Sequence, residues 1–71
     1  METNIMEINI DDLEILLMDG SVWTPANVGD ISKVAIWYPP QRIKIEEKNG
    51  KYIMTNLDVY KDNKIKVSRI R

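Results

Sequence analysis

The sequence predicts an all-β domain, a small barrel closed from five or six short antiparallel strands, and three observations predict it. Apolar residues recur at period two or in short runs, the patterning of strands. The dipeptides Asp19-Gly20 and Asn49-Gly50 separate those runs, and both tolerate the positive φ that a two-residue type I′ hairpin requires. The chain is only 71 residues long and reads as one domain. Such a chain buries roughly 60% of the surface its unfolded form exposes, and closing the sheet covers the core and removes the edges.

Met6, Ile8 and Ile10 alternate with Glu7 and Asn9, as in a half-buried strand, and residues 1–5 read as a flexible lead before it. Leu13 to Met18 is apolar except at Glu14 and predicts a well-covered central strand. After the Asp19-Gly20 turn, Ser21 to Thr24 returns as a short strand that Pro25 ends, because proline cannot donate to a ladder. Asp30 or Ser32 caps one helical turn near residues 31–36, with Val34, Ile36 and Trp37 inward. Pro39-Pro40 then sets an extended, polyproline-like exit. Arg42 to Lys48 and Lys51 to Leu57 flank Asn49-Gly50, with Tyr52 and Met54 on one face and Ile53 and Thr55 on the other. Asp58 to Asn63 is a polar connection that contains Tyr60. Lys64 to Ile70 closes the sheet with Ile65 and Val67 inward, while the parity of Ile70 calls for a bulge near Ser68 or the end of pairing. A single helical turn before a Trp-x-Pro segment favours an SH3-like barrel over an OB-like one, which usually carries a longer helix.

Candidate chemistry is sparse. There is no histidine and no cysteine, hence neither the commonest general base nor the commonest transition-metal ligands. Asp11-Asp12 and Glu46-Glu47 are adjacent pairs, and neighbours in a strand point to opposite faces. No calcium loop, phosphate loop or serine elbow is present. The expectation is a non-enzymatic protein without a cofactor or metal. The acidic N-terminal segment argues against a signal peptide, nothing approaches the roughly 20 apolar residues of a membrane span, and the lack of cysteine suits a reducing, cytoplasmic setting.

Charge is divided along the chain. Residues 1–32 hold seven acids and no base, and residues 33–71 hold ten bases and four acids, which the net charge of −1 conceals. Arg42 and Lys44 share one strand face, as do Lys64 and Lys66, with Arg69 and Arg71 beyond. As a stripe, with Tyr52 or Tyr60 as a stacking platform, they would suit single-stranded nucleic acid. Against this stand the pI of about 5.3 and the prospect that basic closing strands pair with Glu7 and Glu14 of the opening ones. Among the aromatic residues Trp23 is the candidate core filler. Trp37, Tyr38 and Pro39 either line an exposed groove for an extended peptide or, more simply, form a lid over one barrel end.

The segments Asp19-Gly20-Ser21-Val22-Trp23, Gly29-Asp30, Trp37-Tyr38-Pro39 and Arg42-Ile43-Lys44-Ile45 make the chain, over roughly Leu13 to Arg69, similar to a group of small uncharacterised bacterial proteins. They share an acid-Gly-Ser-x-Trp hairpin, a Trp-x-Pro segment, two further hairpin strands and an Asn such as Asn56. The resemblance implies an SH3-like barrel with no assigned activity. The Ala-Leu-Tyr-Asp-Tyr segment of signalling SH3 domains has no counterpart here, which counts against a proline-rich ligand.

Two expectations for function follow. One is an interaction module that takes a protein partner on Trp37, Tyr38 and Pro39 or along an open strand edge, with Tyr60 as a further candidate binding residue. The alternative is a nucleic-acid-binding barrel using Arg42, Lys44, Lys64, Lys66 and Arg69. The expected state is a monomer or a weak homo-oligomer, in which the acidic half of one copy meets the basic half of another.

Overall fold

Each of six strands hydrogen-bonds to two neighbours, so the sheet has no free edge. The computed structural model describes residues 1–71: β1 (Glu2–Asn9), β2 (Glu14–Leu17), β3 (Val22–Pro25), a 3-10 turn (Val28–Asp30) running into α1 (Ile31–Val34), β4 (Arg42–Lys48), β5 (Lys51–Asn56) and β6 (Lys64–Arg69). The order around the closed antiparallel barrel is β1-β2-β3-β6-β5-β4, with β4 returning to β1. This is the all-β, SH3-like barrel that the strand patterning predicts. Inward residues of all six strands, with Val34 and Trp37, form its core around Trp23. Closure also removes the open strand edge proposed as a docking site.

The first strand differs from its reading. Residues 2–5 belong to β1 rather than to a flexible lead, and Ile5, fully buried, is its anchor. Ile5 faces Leu17 and Ile8 faces Ile15, but only Leu16 lies between those partners, so Met6 and Glu7 share it in a β-bulge. The bulge resets parity, which brings Ile5 and Ile8 inward and leaves Met6 exposed, whereas Ile10 is exposed because it lies past the end of β1 in the following turn.

The two glycine turns also part company. Asn49 (φ 54°) and Gly50 (φ 78°) form the two-residue turn foreseen, between the paired Lys48 and Lys51. At Asp19-Gly20 only Gly20 has positive φ (92°), and Leu17 bonds Ser21 across a loop of three residues, Met18 to Gly20. Pro25 does not end pairing. It faces Val67, and the next amide, Ala26 N–H, donates to Lys66 O (2.8 Å). By strand alternation the proline nitrogen points toward the β2 side, past the last β2–β3 pair, where no ladder donor is needed.

The helical turn starts earlier than predicted, at Val28, and neither Asp30 nor Ser32 caps it through a side chain. Asp30 instead accepts from the Lys66 N–H (3.3 Å) and pairs with Lys33 (3.2 Å), sealing β6 where β3 stops. Val34 and Trp37, three residues apart, share a face and plug the barrel end. Ile36 lies off that face and is 64% exposed, contrary to its predicted inward position. Tyr38 to Gln41 closes as a turn (Gln41 N to Tyr38 O, 3.1 Å) around a cis Pro39–Pro40 bond, not as a polyproline exit.

Candidate binding surfaces

The Asp-Gly-Ser-x-Trp segment is a relay that fixes the core tryptophan. The tight loop brings the Asp19 carboxylate over Ser21, whose N–H (3.0 Å) and Oγ–H (2.6 Å) both donate to Oδ1. The Ser21 oxygen in turn accepts from the Trp23 indole N–H (2.8 Å). The Ser21 hydroxyl and then its backbone N–H hold Asp19 below the usual carboxylate range, and the nearby Arg69 adds to this. Ser21 is buried and its proton is committed to Asp19, so its part here is to orient Trp23.

Above the indole the barrel mouth opens. Tyr52 meets Trp23 edge to face (centroids 5.1 Å apart), and the Arg69 guanidinium stands 5.6 Å from the ring centroid, within cation–π range. Arg69 reaches this place because it faces Trp23 across the β3–β6 ladder. Tyr52 and Arg69 form one side of a concavity of about 500 Å³, whose polar lining is completed by Lys51, Lys66, Ser68 and Asn27. It holds three cations and no carboxylate. A broader neighbouring groove of about 770 Å³ mixes Lys33, Lys48, Lys64 and Lys66 with Asp30, Glu46 and Glu47.

The predicted site residues do not converge. Trp37 is 5% exposed and is the lid of the simpler reading, so it offers no wall to a groove; its indole N–H meets no protein acceptor. Tyr38, Pro39 and the wholly exposed Tyr60 (100%) lie on two loops that a buried pair stitches together. Gln41 Oε1 accepts from the Asn56 side chain (2.8 Å) and from the Tyr38 N–H (2.9 Å), and Asn56 Oδ1 accepts from the Asp58 N–H.

Arg42 is no free base. Its guanidinium grips Asp58 Oδ1 (2.8 and 3.0 Å) and its N–H donates to Oδ2, which holds Asp58 below the ordinary carboxylate range and Arg42 above its own. Lys44 faces Glu2 on β1 and is two strands removed from Lys64. Of the predicted bases, Arg69 and Lys66 are the ones that meet in the concavity. Lys51 and Ser68 were missed, because nothing in sequence separation shows that the Asn49-Gly50 hairpin end lies beside the C-terminal end of β6.

The barrel order also decides the charge question. β6 pairs with β3 and β5, not with β1, so Glu7 faces Leu16 and Glu14 faces Asn9 rather than a base, and the opening acid with a base across the ladder is Glu2, opposite Lys44 of β4. In a ring of six, β1 stands across from β6 and β2 across from β5. Five carboxylates and no base on residues 1–18 therefore occupy one side, and six bases against two carboxylates on residues 51–71 the other.

No three His, Cys, Asp or Glu side chains are grouped to hold a metal ion, and no helix is long and apolar enough to cross a membrane. Compared with known proteins, the chain matches no family model, no curated protein and no solved structure.

Proposed function

We propose that the barrel is a non-enzymatic binding module whose ligand is single-stranded nucleic acid, held at the mouth beside Tyr52. The observation that carries this reading is a concavity with three cations, no carboxylate and a half-buried tyrosine. Lys51, Lys66 and Arg69 would neutralise backbone phosphates, and Tyr52 would offer part of its ring to a base, the combination that sequence-tolerant single-strand binders use. Asp19 stands near Arg69 and Asp30 accepts from the Lys66 N–H, but the acids of β1 and β2 lie on the far wall. The molecule measures 28 × 26 × 25 Å, so acids on the far wall lie beyond the roughly 8 Å Debye length of physiological salt.

The test is fluorescence anisotropy of a labelled oligonucleotide at several salt concentrations. Three phosphate contacts give a slope of log K on log salt of about −2. Lys51→Glu with Lys66→Glu abolishes binding, and Lys44→Glu, two strands from Lys66, leaves it nearly unchanged. Absence of binding at low salt, or indifference to the Lys51 and Lys66 reversals, refutes the proposal.

A second reading, a protein partner taken on Tyr38, Pro39 and Tyr60, is favoured by the exposure of both tyrosines on loops joined at Gln41 and Asn56. Tyr38→Ser with Tyr60→Ser separates the two, because the nucleic-acid reading requires it to bind like the wild type.

A further inference from the structure

Asn49-Gly50, the tip of the β4–β5 hairpin, is free chemically as well as spatially. Both residues are exposed, and neither the Asn49 side-chain amide nor the Gly50 N–H has a hydrogen-bond partner in the protein. The pair that closes the turn is Lys48 opposite Lys51. Like charges facing each other across strands repel, so the tip opens at little cost. Glycine has no Cβ to shield its nitrogen, and in an opened tip the Gly50 nitrogen reaches the side-chain carbonyl of the residue before it.

We infer that Asn49 is a site of spontaneous deamidation, which places a carboxylate at the tip of this hairpin. The Gly50 nitrogen loses its proton and bonds to Asn49 Cγ, the bond from Cγ to the side-chain nitrogen breaks, and ammonia leaves with that proton. Water then adds to either carbonyl of the resulting ring and reopens it, which restores the Gly50 N–H in both cases. Opening at one carbonyl leaves an aspartate at position 49, and opening at the other leaves an isoaspartyl link through the side chain. Each product carries one new negative charge, and water is the only co-reactant.

The rest of the chain supplies the contrast. The other five asparagines precede Ile5, Ile10, Val28, Leu57 and Lys64, whose side chains crowd the attacking nitrogen. Asn4, Asn9, Asn56 and Asn63 also hold hydrogen bonds through their side-chain amides. Asp19-Gly20 is the nearest analogue, but there the Gly20 N–H donates to Leu17 O (3.0 Å) and the carboxylate accepts from the Ser21 hydroxyl (2.6 Å).

Position gives the change its consequence. Gly50 and Lys51 line the concavity beside Tyr52, whose lining holds three cations and no carboxylate. An acid at position 49 stands next to Gly50 on that rim and opposes the Lys51 charge. An Asp-Gly tip suits the same turn, so the barrel keeps its fold while its mouth loses positive field. The modification stands on the turn alone, and its effect on binding rests on the nucleic-acid reading.

The test ages the purified full chain at body temperature in mildly alkaline buffer and follows every asparagine by peptide mass spectrometry, with a fresh sample digested in parallel. Asn49 gains one mass unit well before any other asparagine, Gly50→Ala slows that gain, and the circular dichroism of the barrel is retained. Ion exchange then separates aged from fresh protein, and Asn49→Asp serves as the uniform product. Both bind the labelled oligonucleotide about two- to fivefold more weakly than fresh protein at low salt, the worth of one unit charge over about 4–10 Å in water. An Asn49 that ages no faster than the other asparagines, or as fast in Gly50→Ala as in the wild type, overturns the inference. Aged protein that binds as tightly as fresh overturns its effect at the mouth. Fresh protein that binds no oligonucleotide refutes the nucleic-acid reading alone, and the mass gain still decides the site.

Discussion

Replacing Ser21 by alanine removes one oxygen and breaks the relay at its middle. Trp23 is the largest fully buried side chain, and its indole N–H has Ser21 Oγ as acceptor. Without that oxygen a buried donor is left unpaired, at about 1–3 kcal/mol. The Asp19 carboxylate loses the hydroxyl but keeps the Ser21 N–H and is open to water, so its share adds well under about 1 kcal/mol. The sum, about 1–3.5 kcal/mol, compares with a total stability of roughly 4–10 kcal/mol for a chain of this length. It lowers Tm by roughly 5–25 °C, read by thermal unfolding in circular dichroism. Asp19→Asn, which keeps an acceptor and loses only charge, costs less. The folded pKa of Asp19 lies below its ordinary 3.8, so the carboxylate's contribution is complete above that pH and is lost as pH falls through the folded value. The gap in stability between wild type and Asp19→Asn therefore narrows in acid. A Ser21→Ala shift under about 3 °C, equivalent to roughly half a kcal/mol, would show that the relay is ornamental and that apolar packing alone holds Trp23.

Two further outcomes follow from the fold, beside the results given above. Iodide quenches the tryptophan emission of the wild type only weakly, because Trp23 and Trp37 are both buried; a strongly quenched fraction would reopen the groove reading of Trp37. Gly50→Ala meets no steric neighbour but must hold φ at +78°, so urea unfolding registers a loss of about 1 kcal/mol from backbone strain alone, and an unchanged midpoint would contradict that conformation.

Much of the barrel was legible along the chain. Alternation located the later strands, the Asn49-Gly50 turn was read correctly, and Trp23 stood out as the filler because no other side chain near the apolar β2 strand buries as much area. The errors share a cause. Alternation carries its phase forward until something resets it, and a bulge such as Met6-Glu7 leaves no residue signature; Ile8 came out inward and Met6 outward because Leu16 has two partners. The Asp19-Gly20 turn was misjudged because the Asp19 side chain, by taking up Ser21, favours a three-residue loop.

By itself the sequence determined the fold class, the turns that required glycine and the division of charge into an acidic and a basic half. Those are local or additive properties, set by side-chain period, backbone sterics and counting. Only the tertiary structure decided what the charge division means. Inserting β6 between β3 and β5 carries the bases away from the opening acids, gathers Lys51, Lys66 and Arg69 at one mouth, and ties Arg42 to Asp58. Strand order is a property of the closed sheet, and a linear pattern of charges cannot state which strands will be neighbours.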